Sequence, residues 1–431
     1  MHVIVIGGGI GGLCLAHGLR SAGVSVEVHE RDRAPGSRWE GYRIHVNPAG
    51  SRSLHACLPP HLWEAFVATA GRGGDFGFLT DQLEQLLVVE ESIMYPGRAA
   101  GPHEDHYAVD RRTLRRLLLA ELDDVVRFGA EFVRYERTAD GRVAAIFADG
   151  ERAVGDLLVG ADGAASRVRR QYLPQAGLVD AGVCGLAAKI FLTDEVRSWL
   201  PRRLQTGMNA IMVDGPISLF TSVFEPPRGA RSALAAVTGV EAEPIEPYVL
   251  CALVVDPALL PADVTTLDPP ALRHLVDGLL AHWHPDLRRM LTEAELDSRN
   301  AIRFTASAQL PYWESTNVTL LGDAAHTMPP MGGLGGNAAM RDARLLSGLL
   351  GAVQRGERDL LDAVREYERD MREHGYASVR DALATRDQML SKGAFAARAW
   401  FRLCQAVPAL RRRTFTEWEA PARPRRWERA A

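Results

Sequence analysis

The chain has 431 residues, of which 47% are hydrophobic and 24% charged, and its formal net charge is -4. This length suits two or three domains with a large buried core, and the weakly acidic balance gives no reason to expect nucleic acid or an anionic membrane as a partner. We predict a cytoplasmic protein without a membrane span, because no run approaches the roughly 18 apolar residues that a span requires. The five cysteines, which include no C-x-x-C pair, should be reduced thiols.

The first predicted elements form a βαβ unit with a parallel sheet. They are a strand, a helix and a second strand: Val3–Ile6, Leu13–Ser21 and Val24–His29. The turn between the first strand and the helix reads Gly7-x-Gly9-x-x-Gly12, and Glu30 ends the second strand. Such glycines allow a pyrophosphate to approach the backbone at a helix N-terminus, and the acidic residue bonds ribose hydroxyls.

These residues, together with the adjoining Arg31, therefore predict a dinucleotide site. The alternative is a purely structural glycine turn. Glu30 in place of a basic residue argues against a 2′-phosphate, so the tightly bound ligand is not expected to be NADP.

A second motif lies in Asp156–Arg169, where a predicted strand leads into Asp162-Gly163. Ser166 and Arg167 follow on the next turn, and the alternative to a binding role is a strand-to-helix connection capped by Ser166. The strand is expected to be the second half of a hairpin. Its two predicted strands are Arg142–Phe147 and Arg152–Val159. Before them, Asp110–Leu122 is predicted to be a helix with Asp110 as its N-cap.

From Gly182 to about Leu267 the pattern becomes β-rich, which predicts an antiparallel sheet inserted into the nucleotide-binding domain. The predicted strands there are Ala187–Leu192, Ile217–Phe224 and Tyr248–Val254. Two helices are predicted afterwards, Pro270–His282 and Leu360–Arg386. The Arg- and Pro-rich tail, Arg411–Ala431, is expected to be partly disordered.

The third motif follows a short apolar strand, Asn317–Leu321, and begins with Gly322-Asp323. A proline and glycine loop leads to a helix that opens near Gly335. This order places an acidic side chain and a helix N-terminus at the carboxyl end of a strand, where diphosphate-containing ligands bind.

The three motifs in this order resemble those of the single-component flavoprotein monooxygenases with the para-hydroxybenzoate hydroxylase fold. The resemblance covers roughly residues 1–170 and 300–375. It implies an α/β fold with a GxGxxG Rossmann-like FAD domain, an inserted antiparallel-sheet substrate domain and a C-terminal helical segment. The implied FAD-binding parts are residues 1–72, 101–175 and 299–358, the substrate-domain parts are 73–100 and 176–298, and the C-terminal region is 359–431.

The resemblance also implies bound FAD and a role for each motif. Gly7, Gly9, Gly12 and Glu30 would hold the ADP half, Asp162 matches a segment that serves FAD and NAD(P)H, and Asp323 would take the ribityl-diphosphate region. Gly335, Gly336 and Asn337 would lie under the pyrimidine edge of the ring, where a helix N-terminus stabilises the anion of reduced flavin. Arg111 and Arg43 match residues near the flavin, and Pro330 and Gly332 are further flavin-adjacent candidates. An exposed strand arginine is an equally good interpretation of Arg43.

The implied activity is a monooxygenase that uses NADPH or NADH and transfers one oxygen atom from a flavin C4a-(hydro)peroxide to a small molecule, by hydroxylation or epoxidation. The few charges in the β-rich segment indicate an apolar aromatic or polyketide-like substrate. Candidate lining residues are Met212, Phe220, Phe224, Pro330 and Met331. No metal site is predicted, and the sequence leaves the oligomeric state and the choice of NADPH or NADH open.

Three alternatives remain. A flavin-dependent halogenase would carry a W-x-W signature, which this sequence lacks. A flavoprotein oxidase would share the first motif but not the second and third in this order. A non-redox cyclase or isomerase would keep the fold and FAD without oxygen chemistry.

Overall fold

The structure is a computed structural model that describes residues 1–36, 41–95, 100–213, 215–240, 246–295, 300–390 and 394–416. The strands are β1 (His2–Ile6), β2 (Ser25–Glu30), β3 (Arg43–Val46), β4 (Phe76–Thr80), β5 (Gln85–Val89), β6 (Tyr107–Asp110), β7 (Val126–Phe128), β8 (Phe132–Arg137), β9 (Val143–Phe147), β10 (Arg152–Gly155), β11 (Leu157–Gly160), β12 (Leu178–Phe191), β13 (Met208–Met212), β14 (Ile217–Phe224), β15 (Tyr248–Val255), β16 (Asn300–Ser307) and β17 (Val318–Leu320). The helices are α1 (Ile10–Ser21), α2 (Pro48–Cys57), α3 (Pro60–Thr69), α4 (Glu91–Met94), α5 (Arg111–Leu119), α6 (Arg167–Tyr172), α7 (Asp194–Trp199), α8 (Ala230–Thr238), α9 (Pro269–Leu279), α10 (Pro285–Thr292), α11 (Asp323–His326), α12 (Leu334–Gln354), α13 (Leu360–Met389), α14 (Ala394–Ala406) and α15 (Pro408–Phe415).

A five-stranded parallel sheet has the strand order β17-β11-β1-β2-β7. Its central strand β1 is a continuous apolar run because helices cover both faces of a parallel sheet. The predicted βαβ unit is confirmed. Helix α1 begins at Ile10, three residues earlier than predicted, because Gly11 and Gly12 are part of the helix. Glycine is needed at both positions, since a side chain on Gly11 would collide with Leu321 and one on Gly12 with the carbonyl oxygen of Gly7.

The prediction of a single hairpin strand over Arg152–Val159 is wrong, because this segment forms two strands that belong to different sheets. β10 pairs with β9 in a three-stranded antiparallel sheet, whereas β11 lies between β1 and β17. The chain changes sheets at Asp156. Its N–H donates to the carbonyl oxygen of His2, and its carboxylate accepts from the N–H of His2 at 2.7 Å, so β11 is held to β1 rather than to the hairpin.

The largest sheet has seven strands in the order β16-β12-β15-β14-β13-β4-β5. It is antiparallel except where β13 pairs in parallel with β4. Because side chains alternate along a strand, the sheet has two different faces. The outer face, with Ile211, Leu219 and Leu253, is fully buried in one core with residues of α9 and α10. On the opposite face, which we call the inner face, several apolar residues are partly exposed, among them Ala210, Met212, Phe220, Leu250 and Ala252.

Helical segments were predicted with unequal success. Pro270–His282 is α9, which ends at Leu279, and the predicted Leu360–Arg386 helix is confirmed as α13. The start of the tail belongs to α15, which extends to Phe415, and residues 417–431 lie outside the described residues, so partial disorder of the tail stays a prediction. The five cysteines are buried free thiols, as expected. In the described part of the chain, no helix has the length and hydropathy needed to cross a bilayer. The predicted domain boundaries stay a prediction.

Candidate cofactor and substrate site

The glycine turn after β1 has the geometry of a pyrophosphate cradle. Gly7 has φ of +113°, and a Cβ there would lie 2.3 Å from the carbonyl oxygen of Ala161. A Cβ on Gly12 would lie 2.1 Å from the carbonyl oxygen of Gly7. A Cβ on Gly9 would meet no described atom within 4 Å, so this glycine faces open space at the start of α1. The turn therefore leaves room for a ligand where helix N–H groups bind phosphate.

Glu30 lies beside this turn and is almost fully buried. Its two carboxylate oxygens accept from the N–H groups of Gly8 at 2.7 Å and Asp32 at 2.9 Å. Each oxygen keeps a further lone pair for a ribose hydroxyl. Arg115 on α5 donates to the carbonyl oxygen of Gly8 and lies 3.7 Å from Asp32, a role that the helical pattern of α5 did not reveal. Arg31 is exposed to solvent next to Glu30.

Asp162 stabilises the start of α6. Its carboxylate accepts from the hydroxyl of Ser166 and from the N–H of Arg167 at 2.7 Å, while Ser166 accepts from the N–H of Arg169. The capped strand-to-helix connection considered for this motif is therefore present. A cofactor role for Asp162 stays a prediction.

Arg169, which sequence reasoning missed, connects the second motif to the third. Its guanidinium donates to the carbonyl oxygens of Ala164 at 2.6 Å and Ala324 at 3.0 Å. Burial lowers the pKa of this guanidinium. The one sequence signal was its place at the end of the motif, two residues after Arg167.

Asp323 lies at the first position of α11, directly after Gly322, whose φ is +62°. Its side chain is accessible to water yet surrounded by protein, as at the floor of a cleft. Burial raises the pKa of its carboxyl, and the charges of His326, Arg111 and Arg169 act in the opposite direction. A Cβ on Gly335 would lie 3.6 Å from Asp323, so the carboxylate lies beside the first turn of α12.

Asn337 holds the first turn of α12 against the end of β3. Its amide nitrogen donates to the carbonyl oxygens of His45 at 2.9 Å and Gly333 at 2.8 Å, and its oxygen accepts from the N–H of Asn47 at 2.9 Å. This buried side chain is therefore engaged by backbone. Gly336, by contrast, is exposed. At the head of α12, the backbone N–H groups are therefore the atoms suited to bind the negatively charged edge of a reduced flavin ring.

Arg43 is buried between β3 and the inner face rather than exposed on its strand. Its Nη1 atom lies 3.7 Å from the Sδ atom of Met208. Arg43 is paired in register with Asp110, which caps α5 and also accepts from the hydroxyl of Tyr248 at 3.2 Å. Burial and the Asp110 carboxylate raise the pKa of Tyr248.

A partly buried pair of histidines lies further along β3. The Nε2 atom of His45 is 3.0 Å from the Nδ1 atom of His106, and the ring of Tyr95 stacks on His106 with centroids 3.6 Å apart. Nothing in the local sequence pattern linked these residues. They lie next to Gly333, because a Cβ on that glycine would be 3.5 Å from the Cβ of His45.

The predicted substrate residues are not equally placed. Met212 and Phe220 are partly exposed on the inner face, which suits a cavity wall. Phe224 is fully buried against Tyr248, with ring centroids 5.6 Å apart, so it is a core residue and does not line a cavity that is open to solvent. Met331 is buried with Val183 and Tyr376, whereas Pro330 is exposed and Gly332 has φ of +77°.

The geometry defines a dinucleotide-binding α/β protein with a second sheet against the cofactor cleft. A family profile described as an NAD(P)-binding Rossmann-like domain matches residues 5–68, and one described as an FAD binding domain matches residues 276–382.

Three similar proteins extend this result. A solved structure described as a candidate FAD-containing monooxygenase from Photorhabdus luminescens subsp. laumondii TTO1 is 33% identical, covers 90% of this chain and 98% of that chain, and superposes with a TM-score of 0.80. A dual O-methyltransferase/FAD-dependent monooxygenase of Phaeosphaeria nodorum is 31% identical over 80% of this chain and 39% of its own length. An FAD-dependent urate hydroxylase of Klebsiella pneumoniae is 28% identical over 85% of each chain.

The chain belongs to the FAD-dependent monooxygenases of the para-hydroxybenzoate hydroxylase family. The resemblance, the fold class and the FAD cofactor predicted from the three motifs are confirmed. The chain spans about two fifths of the length of the dual-function relative.

Proposed function

We propose that this chain is an NAD(P)H-using monooxygenase that transfers one oxygen atom from O2 to an apolar aromatic or polyketide-like small molecule, by hydroxylation or epoxidation. The observation that carries this proposal is the meeting of the glycine turn, Asp323 and the head of α12 at one edge of the parallel sheet, beside a partly exposed apolar sheet face. FAD held at this site and reduced by NADPH or NADH would supply the activation of O2, of which one atom enters the product and the other leaves as water.

The residues of the chain would position and shield this chemistry. Gly7 and Gly12 shape the turn, and Gly9 leaves space for the diphosphate. Asp323 would accept from hydroxyl groups of the ribityl chain, because a lone carboxylate beside a diphosphate is favourable only as an acceptor. The first N–H groups of α12 would stabilise negative charge on the ring edge, and the bonds of Asn337 to backbone hold this turn in place.

The inner face supports the proposed substrate class. Most of its accessible residues are apolar, and Lys189, in register with Leu250, is the partly exposed cation among them. A flat apolar ring system would gain burial there, at roughly 25 cal/mol per Å² of apolar area removed from water. A small benzoate would gain less from the apolar part of this surface. The urate hydroxylase relative acts on a polar purine, so substrate range in this family follows the lining of the site rather than the fold.

The test uses the purified yellow protein and a panel of hydroxyarenes. We expect at least one planar probe to stimulate NAD(P)H oxidation together with O2 consumption and an oxygenated product. Stimulation by small charged benzoates alone would contradict the substrate class. Conversion of a probe without any O2 consumption would contradict the monooxygenase activity and favour the non-redox alternative. The choice between NADPH and NADH and the cytoplasmic location stay predictions.

A further inference from the structure

The C-terminal helices pack on one margin of the inner face. The ring of Phe401 on α14 stacks on Phe78 of β4 with centroids 4.4 Å apart, and Phe415 of α15 lies 6.2 Å from the same ring. Arg398 donates to the carbonyl oxygen of Met212 at 3.1 Å, which fixes α14 against the end of β13.

This margin is continuous with the accessible part of the inner face. Across the sheet, Ala210 is paired with Phe78 on one side and with Phe220 on the other, so the three side chains form one row on the inner face. Ala210 is small and partly exposed, and it separates the two larger rings. In register, β5 continues the row with the buried Leu87, and Phe401, stacked on Phe78, covers the row at this margin.

The edge strand β5 fixes the position of these helices. The N–H of Val88 donates to the side-chain oxygen of Gln405 at 2.9 Å, and Arg411 donates to the carbonyl oxygen of Val88 at 3.3 Å. Backbone groups of an edge strand that would otherwise face solvent are thus used to dock α14 and α15. Helix α14 also begins after residue 382, where the match to the FAD binding domain ends.

We propose that Phe401 is a specificity-determining residue that sets the size of the planar ring system accepted on the inner face. The proposal rests on the proposed function and adds the element that limits the substrate. Truncating the ring of Phe401 would uncover Phe78 and extend the accessible part of the inner face beyond Ala210 by the space of one aromatic side chain. A longer fused ring system would then fit, and a shorter one would lose a side chain that it contacts.

The experiment compares Phe401→Ala with Trp400→Ala, a control on the same helix whose side chain is 43% exposed. FAD-loaded proteins are titrated with phenol, 1-naphthol and 1-hydroxyanthracene, and dissociation constants are read from the flavin difference spectrum. Probe-stimulated NAD(P)H oxidation gives KM and kcat separately. We expect Phe401→Ala to prefer a probe with more fused rings than the wild type does. For the probe that the wild type prefers, the KM should rise about tenfold in this variant, with a smaller change in kcat. Trp400→Ala should match the wild type.

Equal ring preferences in Phe401→Ala and Trp400→Ala would overturn the proposal. If Phe401→Ala loses FAD or stability, Phe401→Leu decides: an unchanged ring preference there means that Phe401 only anchors the helix, whereas an upward shift supports the proposal. Failure of the proposed function gives a different result: the wild type would bind probes, as seen in the flavin difference spectrum, but would not consume O2. A wild-type flavin spectrum that no probe perturbs would contradict the cavity itself.

Discussion

The Nε2 atom of His326 lies 2.7 Å from a carboxylate oxygen of Asp342, and both side chains are fully enclosed by protein. Asp342 also accepts from the N–H of Gly322 at 2.9 Å and from the Nε2 atom of His374 at 2.8 Å. One buried carboxylate on α12 therefore holds the turn that presents Asp323 and connects it to α13. Part of the cofactor cleft is thus built from residues that do not face it.

The His326–Asp342 pair predicts a pH dependence of stability. Burial lowers the pKa of His326, but the carboxylate of Asp342 outweighs it, and the pKa is raised above the ordinary value of 6.5. A raised folded-state pKa means that the stabilisation is complete below about pH 6.5 and is lost as the pH rises through the folded-state value. His374, Asp323, Asp370 and Arg341 are the other charged or titratable groups around this pair.

We therefore expect the Tm of the wild type to fall more steeply than that of His326→Gln between about pH 6.5 and pH 9. The control is His61→Gln, because His61 pairs with Glu121 at the surface, where such pairs contribute little. Parallel curves for the wild type and His326→Gln would mean that folding does not raise the pKa of His326.

The glycine turn predicts opposite effects at two positions. Gly9→Asp should leave the apoprotein fold intact, because the new Cβ meets no described atom within 4 Å, yet it should abolish FAD binding by placing a carboxylate at the pyrophosphate. Gly12→Ala should lower apoprotein stability itself, because its Cβ would lie 2.1 Å from a carbonyl oxygen. The Tm of each apoprotein reports stability, and the visible absorbance of the flavin reports bound FAD. Together the two measurements separate the effects. Stoichiometric FAD in Gly9→Asp would refute the assignment of this turn.

Asp323→Asn should separate stability from cofactor affinity. Burial disfavours the charged carboxylate, so the neutral amide should leave the Tm of the apoprotein unchanged or higher. A charged acceptor binds hydroxyl groups more strongly than a neutral one, so FAD affinity should fall about tenfold. Fluorescence titration of apoprotein with FAD measures this change, with the exposed Asp123→Asn as the control. Equal FAD affinity in both variants would remove Asp323 from the cofactor site.

Asn337→Ala should loosen the head of α12. The substitution removes a donor to two carbonyl oxygens and an acceptor for the N–H of Asn47, all in a buried position. We expect a loss of about 2–3 kcal/mol in the free energy of unfolding, because buried backbone groups are left unsatisfied. Urea denaturation measures it, and the FAD dissociation rate should rise in the same variant. A variant as stable as the wild type would show that water replaces the amide.

Local patterns in the sequence determined the elements with strong signals. Gly7-x-Gly9-x-x-Gly12 between two apolar runs predicted the βαβ unit, and the spacing in Leu360–Arg386 predicted α13, because turn chemistry and helical periodicity depend on residues a few positions apart. The order of the three motifs was enough to indicate the family and its cofactor.

The tertiary structure decided what joins distant segments. The change of sheet at Asp156 depends on a bond to His2, and Asn337 bonds to backbone 290 residues away. Arg169, His374 and Phe401 took their roles only from helices and loops brought against them by packing. The β-rich pattern predicted an antiparallel sheet, but not which of its two faces is left partly open. That outcome depends on where α9, α10 and α14 dock, because burial is a property of the whole packed chain and not of any local stretch of it.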